Sequence, residues 1–80
     1  MRRKRQVTDA IRETKDHGYG KFNRVNIIAI VPREVCVMPI QTSREMQIAV
    51  DKIRALASKR RRHNKDFLDT LATVIMGGPT

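Results

Sequence analysis

The stretch Thr42-Ser43-Arg44-Glu45 and the residues behind it leave the chain least freedom in what it can become. Thr42 with Glu45 three residues later is a capping box: the hydroxyl can accept an orphan amide while the carboxylate reaches back to the cap. Behind it, Met46, Ile48/Ala49/Val50, Ile53 and Leu56/Ala57 recur at helical spacing. Arg44, Gln47, Asp51, Lys52, Arg54 and Ser58 fall on the wetter face. The pattern predicts an amphipathic helix over about 43–60, and its apolar stripe needs cover.

The apolar pattern lapses at Lys59-Arg60-Arg61-Arg62-His63-Asn64-Lys65 and resumes with Phe67, Leu68, Leu71, Val74 and Ile75. Two arrangements fit. In one, the helix breaks and Asn64 caps a second helix, with Asp66 favourable in its first turn. In the other, one long helix runs to about Met76, with Met46, Ile53, Phe67 and Val74 on one heptad series. Arg60 interrupts that series. A charged seam residue is costly, which favours two helices.

Toward the N-terminus, Val7, Ala10, Ile11 and Thr14 have helical spacing within residues 6–17, and Gly18 is placed to stop that helix. Gly18-Tyr19-Gly20 reads as a turn or loop. Residues 25–31 are rich in β-branched side chains and bounded by Pro32, so a strand is expected there. Pro32-Arg33-Glu34 makes a plausible tight connection to a second strand, Val35-Cys36-Val37-Met38, limited by Pro39. The expected class is α+β: a short N-terminal helix, a β-hairpin, then two helices. Residues 1–5 form a basic arm, 6–76 a single small domain and 77–80 a flexible tail.

Eighty residues make one domain with a thin core, and only Tyr19, Phe22 and Phe67 are aromatic. Both expected strands are apolar on successive residues, so both faces of the hairpin need covering. These two facts predict a homodimer, with the hairpin or the 67–75 helix at its interface. Cys36 is the sole cysteine and lies in an apolar run, so buried packing is expected of it. Residues 6–17 are too polar for a signal-peptide core, and no apolar stretch approaches the roughly 20 residues of a membrane span. A cytoplasmic protein without membrane contact is the expectation.

Charge points to the partner. Arg2-Arg3-Lys4-Arg5 and Lys59-Arg60-Arg61-Arg62 supply eight of the 17 Lys and Arg residues in a chain of net charge +9. Such self-repulsion is commonly offset by a polyanion, of which nucleic acid is the commonest. Consecutive cations at a helix end project in different directions, which suits phosphate neutralisation more than base reading. Lys65 adds to that cluster, and one or two cations would suffice to complement a helix dipole. The arm, Arg2 to Arg5, reads as a clamp along phosphates. Tyr19 and Phe22 beside Lys21 could stack bases, although packing of Phe22 against the sheet is the simpler role.

Little points to chemistry. His17 and His63 lack metal-ligand spacing with Cys36, and Gly-Tyr-Gly-Lys lacks the six-residue frame of a P-loop. No pair of carboxylates sits in an apolar setting that would mark an acid and a base, so neither an enzyme nor a cofactor is expected. The reading is a noncatalytic nucleic-acid-binding protein, a small regulator or accessory factor, with DNA and RNA undistinguished. The alternative is a small inhibitor or adaptor docking on an acidic protein partner.

Residues 35–75, about half the chain, resemble a ribbon-helix-helix DNA-binding protein in order: a short strand, a helix ending Ala55-Leu56-Ala57-Ser58-Lys59, a basic turn, then Asn64-Lys65-Asp66-Phe67-Leu68 opening a second helix. The resemblance implies paired strands whose outward polar residues read the major groove. Here the ribbon would be Val35-Cys36-Val37-Met38-Pro39-Ile40, which departs from that pattern: it has no polar reading residues and contains a proline.

Overall fold

Of the two prolines expected to bound strands, Pro32 marks a helix start instead, and Pro39 lies in the link between two helices. The computed structural model describes residues 4–20 and 22–77, with the backbone alone at Arg24. Those residues form α1 (Val7–Glu13), a 3-10 turn (Thr14–His17), α2 (Arg24–Ile30), α3 (Arg33–Cys36), α4 (Ser43–Ala57) and α5 (Arg62–Ile75). No β-strand occurs among them, and the single β-bridge pairs Gln6 with Pro39. The α+β class and the β-hairpin are therefore corrected to an all-helical architecture. The ribbon implied by the ribbon-helix-helix resemblance is absent as well.

Local chemistry explains the correction. The Asn23 side chain caps α2 by accepting the Asn26 N–H at 3.0 Å. Val31 is extended (φ −116°, ψ 110°), as the residue before a proline is driven to be, so α2 ends there. Pro32 then starts α3, its carbonyl accepting the N–H groups of Val35 and Cys36 at 2.9 and 3.0 Å. β-branched composition favoured strands, but cap and proline chemistry at the two boundaries favours short helices.

The N-terminal helix lies within its expected span but passes into the 3-10 turn after Glu13, and Gly18 stops that turn through a left-handed φ of 85°. At its start, the Gln6 N–H donates to the Asp9 carboxylate at 2.8 Å. The capping box at Thr42 also forms: Thr42 Oγ1 accepts the Glu45 N–H at 3.1 Å, and Glu45 Oε1 accepts the Thr42 and Gln41 N–H groups at 3.0 and 3.1 Å.

The core lies between α4 and α5, which pack as a helical hairpin and share the most extensive contact in the fold. Ala49, Val50, Ile53 and Ala57 of α4 are buried with Phe67, Leu68, Leu71, Ala72, Val74 and Ile75 of α5. Val7, Ala10 and Ile11 of α1 close this cluster from one side, and Val35 and Ile40 join it through α3 and the segment after it. Backbone bonds stitch the chain's start to the α3–α4 link: Val7 N–H to Met38 O at 3.1 Å and Ile40 N–H to Arg5 O at 2.8 Å. Thr8 Oγ1 donates to Cys36 O at 2.7 Å. Cys36 is half-buried against the core; burial first, then the Glu34 charge, pushes its thiol pKa up.

Helix α2 is the exception. Ile30 is buried and Ile27 half-buried, but Val25 is 75% and Ile28 57% exposed. Its apolar residues lie on more of its circumference than the core covers.

Candidate nucleic-acid interface

The break between α4 and α5 turns the second basic run into a corner. Helix α4 closes with three turn bonds: Ser58 N–H to Arg54 O, Lys59 N–H to Leu56 O and Arg60 N–H to Ala57 O, each 3.1 Å. Ser58 Oγ also donates to Ala55 O at 2.8 Å. Arg61 then adopts an extended conformation (φ −70°, ψ 160°) and is the N-cap of α5, which begins at Arg62. The expected cap at Asn64 is corrected by this geometry: Asn64 lies within the first turn, and Asp66 lies beyond it.

Lys59, Arg60, Arg61, Arg62 and Lys65 are all exposed. No carboxylate pairs with them among the described residues. Arg61 and Arg62 lie at the start of α5, which is unfavourable for stability, whereas Lys59 and Arg60 follow the end of α4, whose dipole favours cations. The first turn of α5 holds no acidic residue, and no side chain caps it. A missing cap costs about 0.5–2 kcal/mol, and each cation facing the positive end of a helix dipole costs about 0.3–1 kcal/mol. At the start of α5, free amides and the Arg61 and Arg62 guanidinium groups combine in a positive potential, which suits an anion.

The basic arm is placed elsewhere. Arg2 and Arg3 lie outside the described residues. Arg5 is partly engaged: its guanidinium pairs with Glu13 Oε2 at 2.7 Å and its carbonyl is bound by Ile40. Lys4 is exposed near the start of α4. The Glu45 carboxyl is held below its usual range by the Thr42 N–H first, with the Gln41 N–H, the Lys4 charge and the Thr42 hydroxyl adding, against some loss of solvation. Glu45 and Lys59 are fourteen positions apart along α4, about 21 Å at 1.5 Å per residue. The root of the arm and the corner thus stand at opposite ends of α4, not in one patch.

The aromatic residues gather at the corner's flank. Phe22 lies 4.3 Å from Phe67 between ring centroids, nearly parallel at 22°. The His63 ring lies 5.4 Å from Phe22 at 15°, and Tyr19 touches both phenylalanines at 5.7 and 5.5 Å. Phe22 is therefore packed, as expected, but on α5. The sequence reading of His63 went no further than its lack of metal-ligand spacing, and it missed this stack. The signal was its position four before Phe67, which puts both rings on one face of α5. Beside this stack is an open pocket of about 350 Å³, lined by Phe22, Asn26, Ala29, Ile30, His63 and Asn64.

Among the described residues, no three His, Cys, Asp or Glu side chains are grouped to hold a metal ion. No helix among them is long and apolar enough to cross a membrane. Compared with protein-family models, curated proteins and solved structures, the chain matches none.

Proposed function

We propose that this chain is a noncatalytic nucleic-acid-binding protein, a small regulator or accessory factor that grips the phosphate backbone. Lys59, Arg60, Arg61, Arg62 and Lys65 supply the principal contact, with the arm Arg2, Arg3, Lys4 and Arg5 as the second. The observation that carries this reading is the cationic corner itself: four consecutive exposed cations without partners among the described residues, two of which, Arg61 and Arg62, sit at a helix start where they oppose stability. A ligand touching both clusters runs at least about 21 Å, or about six nucleotides at 3.4 Å each. The test is direct binding of DNA and RNA at low salt to the wild type and to a variant with Arg60, Arg61 and Arg62 changed to Ala. Affinity is expected to fall for every sequence alike in the variant, with its melting temperature unchanged or raised. Absence of binding to either nucleic acid at low salt overturns the proposal.

A second reading, docking on an acidic protein partner, has one observation in its favour. Val25 and Ile28 form an exposed apolar surface on α2. In that case Val25→Ser and Ile28→Ser would abolish partner binding and leave nucleic-acid affinity untouched.

A further inference from the structure

We propose that the pocket beside the corner receives an unpaired base, so that the preferred ligand is single-stranded nucleic acid. This inference rests on the phosphate-binding reading above and deepens it.

Three features of the pocket converge. Its aromatic wall is the Phe22–His63 pair, with the His63 ring exposed and held nearly parallel to Phe22 at 15°. A flat ring held in place presents a stacking surface to any base, because every base has a π-face. Phe22 is in turn braced by Phe67, so this wall is anchored in the core. The polar lining consists of Asn26 and Asn64, whose side-chain amides make no hydrogen bond among the described residues. Each offers two donors and an acceptor, the group types found along base edges. Finally, His63 and Asn64 directly follow Arg61 and Arg62 and precede Lys65. The cations that would hold the backbone are thus the chain neighbours of two residues that line the pocket.

A base within a duplex cannot enter such a recess, since its faces are stacked and its edge is paired. A single strand can turn a base outward while its phosphates stay on the cations. The pocket therefore assigns a preference for strand form that the basic runs alone do not carry.

The experiment uses the full chain and fluorescently labelled 12-nucleotide strands of DNA and of RNA, each also annealed to its complement, at one fixed salt concentration. Single strands are expected to bind at least tenfold tighter than the duplexes. His63→Ala is expected to weaken single-strand binding about tenfold, in line with the loss of one stacked base, and to leave duplex binding and the salt dependence unchanged. An abasic scan of the strand reads the same contact on the unmodified protein: one or two positions are expected to lose affinity though every phosphate remains. Comparing DNA with RNA then shows which strand the pocket takes. If duplex and single strand bind equally, or if His63→Ala and the abasic scan both leave affinity within twofold, the pocket proposal is overturned while phosphate binding stands. If no strand binds at all, both proposals fail together.

Discussion

Glu45 does two jobs with one carboxylate. It accepts the N–H groups of Gln41 and Thr42, and its charge lies at the positive end of α4, near Lys4. Its pKa in the folded chain is depressed, with the Thr42 N–H as the largest cause. The resulting stabilisation is present above the unfolded pKa and is lost as pH falls through the folded pKa. Glu45→Gln should therefore flatten the acid limb of the stability–pH curve, measured as the urea midpoint between pH 6 and pH 2.5. An unchanged acid limb would show that the box does not hold the helix start. Thr42→Ala removes the hydroxyl that accepts the Glu45 N–H and should cost about 1 kcal/mol at neutral pH. In the core, Phe67 is fully buried against Phe22 and Tyr19, and Phe67→Ala should cost about 3–5 kcal/mol. A chain with so thin a core would be left mostly unfolded by that change, which circular dichroism at 25 °C would show.

At the scale of elements, the α4–α5 corner makes a sharp case. Arg62 is the first helical residue of α5, where proline is favoured because its missing N–H is an orphan anyway. Arg61 already has the extended conformation that a following proline demands. Arg62→Pro should leave helicity and stability within about 1 kcal/mol of wild type, whereas Ala55→Pro, inside α4, should cost about 3 kcal/mol or more. Equal losses in the two variants would mean that the helix runs on through the corner. Helix α4 was legible because cap, stripe and wet face agreed over many residues, and α5 was legible from its apolar stripe, although the Asn64 cap expected for it does not form. Helix α2 was not legible, and the reason is physical. Ile27, Ile30 and Val31 hold its inner positions at helical spacing, but Val25 and Ile28 on the outer side are also apolar. With no polar face to reveal the period, β-branched composition pointed to a strand. The Asn23 cap was the remaining clue. The basic clusters could be read from charge alone. The pocket could not, since it joins Phe22 to His63 across forty-one positions of sequence.

For the whole molecule, the fold changes the grounds for self-association. The apolar face of α5, one of two expected interfaces, is consumed in the core: Phe67, Leu68, Leu71 and Ile75 are all buried. The exposed Val25 and Ile28 of α2 remain for a second copy. If they pair two chains, Val25→Ser with Ile28→Ser should shift sedimentation from dimer to monomer without changing the melting temperature. A wild type that stays monomeric at high micromolar concentration contradicts the homodimer. The charge distribution bears most directly on function, because the corner and the root of the arm stand about 21 Å apart along α4. Each phosphate neutralised by a cation releases counterions, so the logarithm of affinity should fall linearly with the logarithm of salt concentration. The measurement that tests this most directly is that slope, determined for the wild type and for the variant with Arg60, Arg61 and Arg62 changed to Ala. The wild type should show a steep negative slope, and the variant a slope shallower by about three, roughly one for each lost contact. A slope near zero in the wild type, or one unchanged in the variant, would contradict a phosphate grip at the corner.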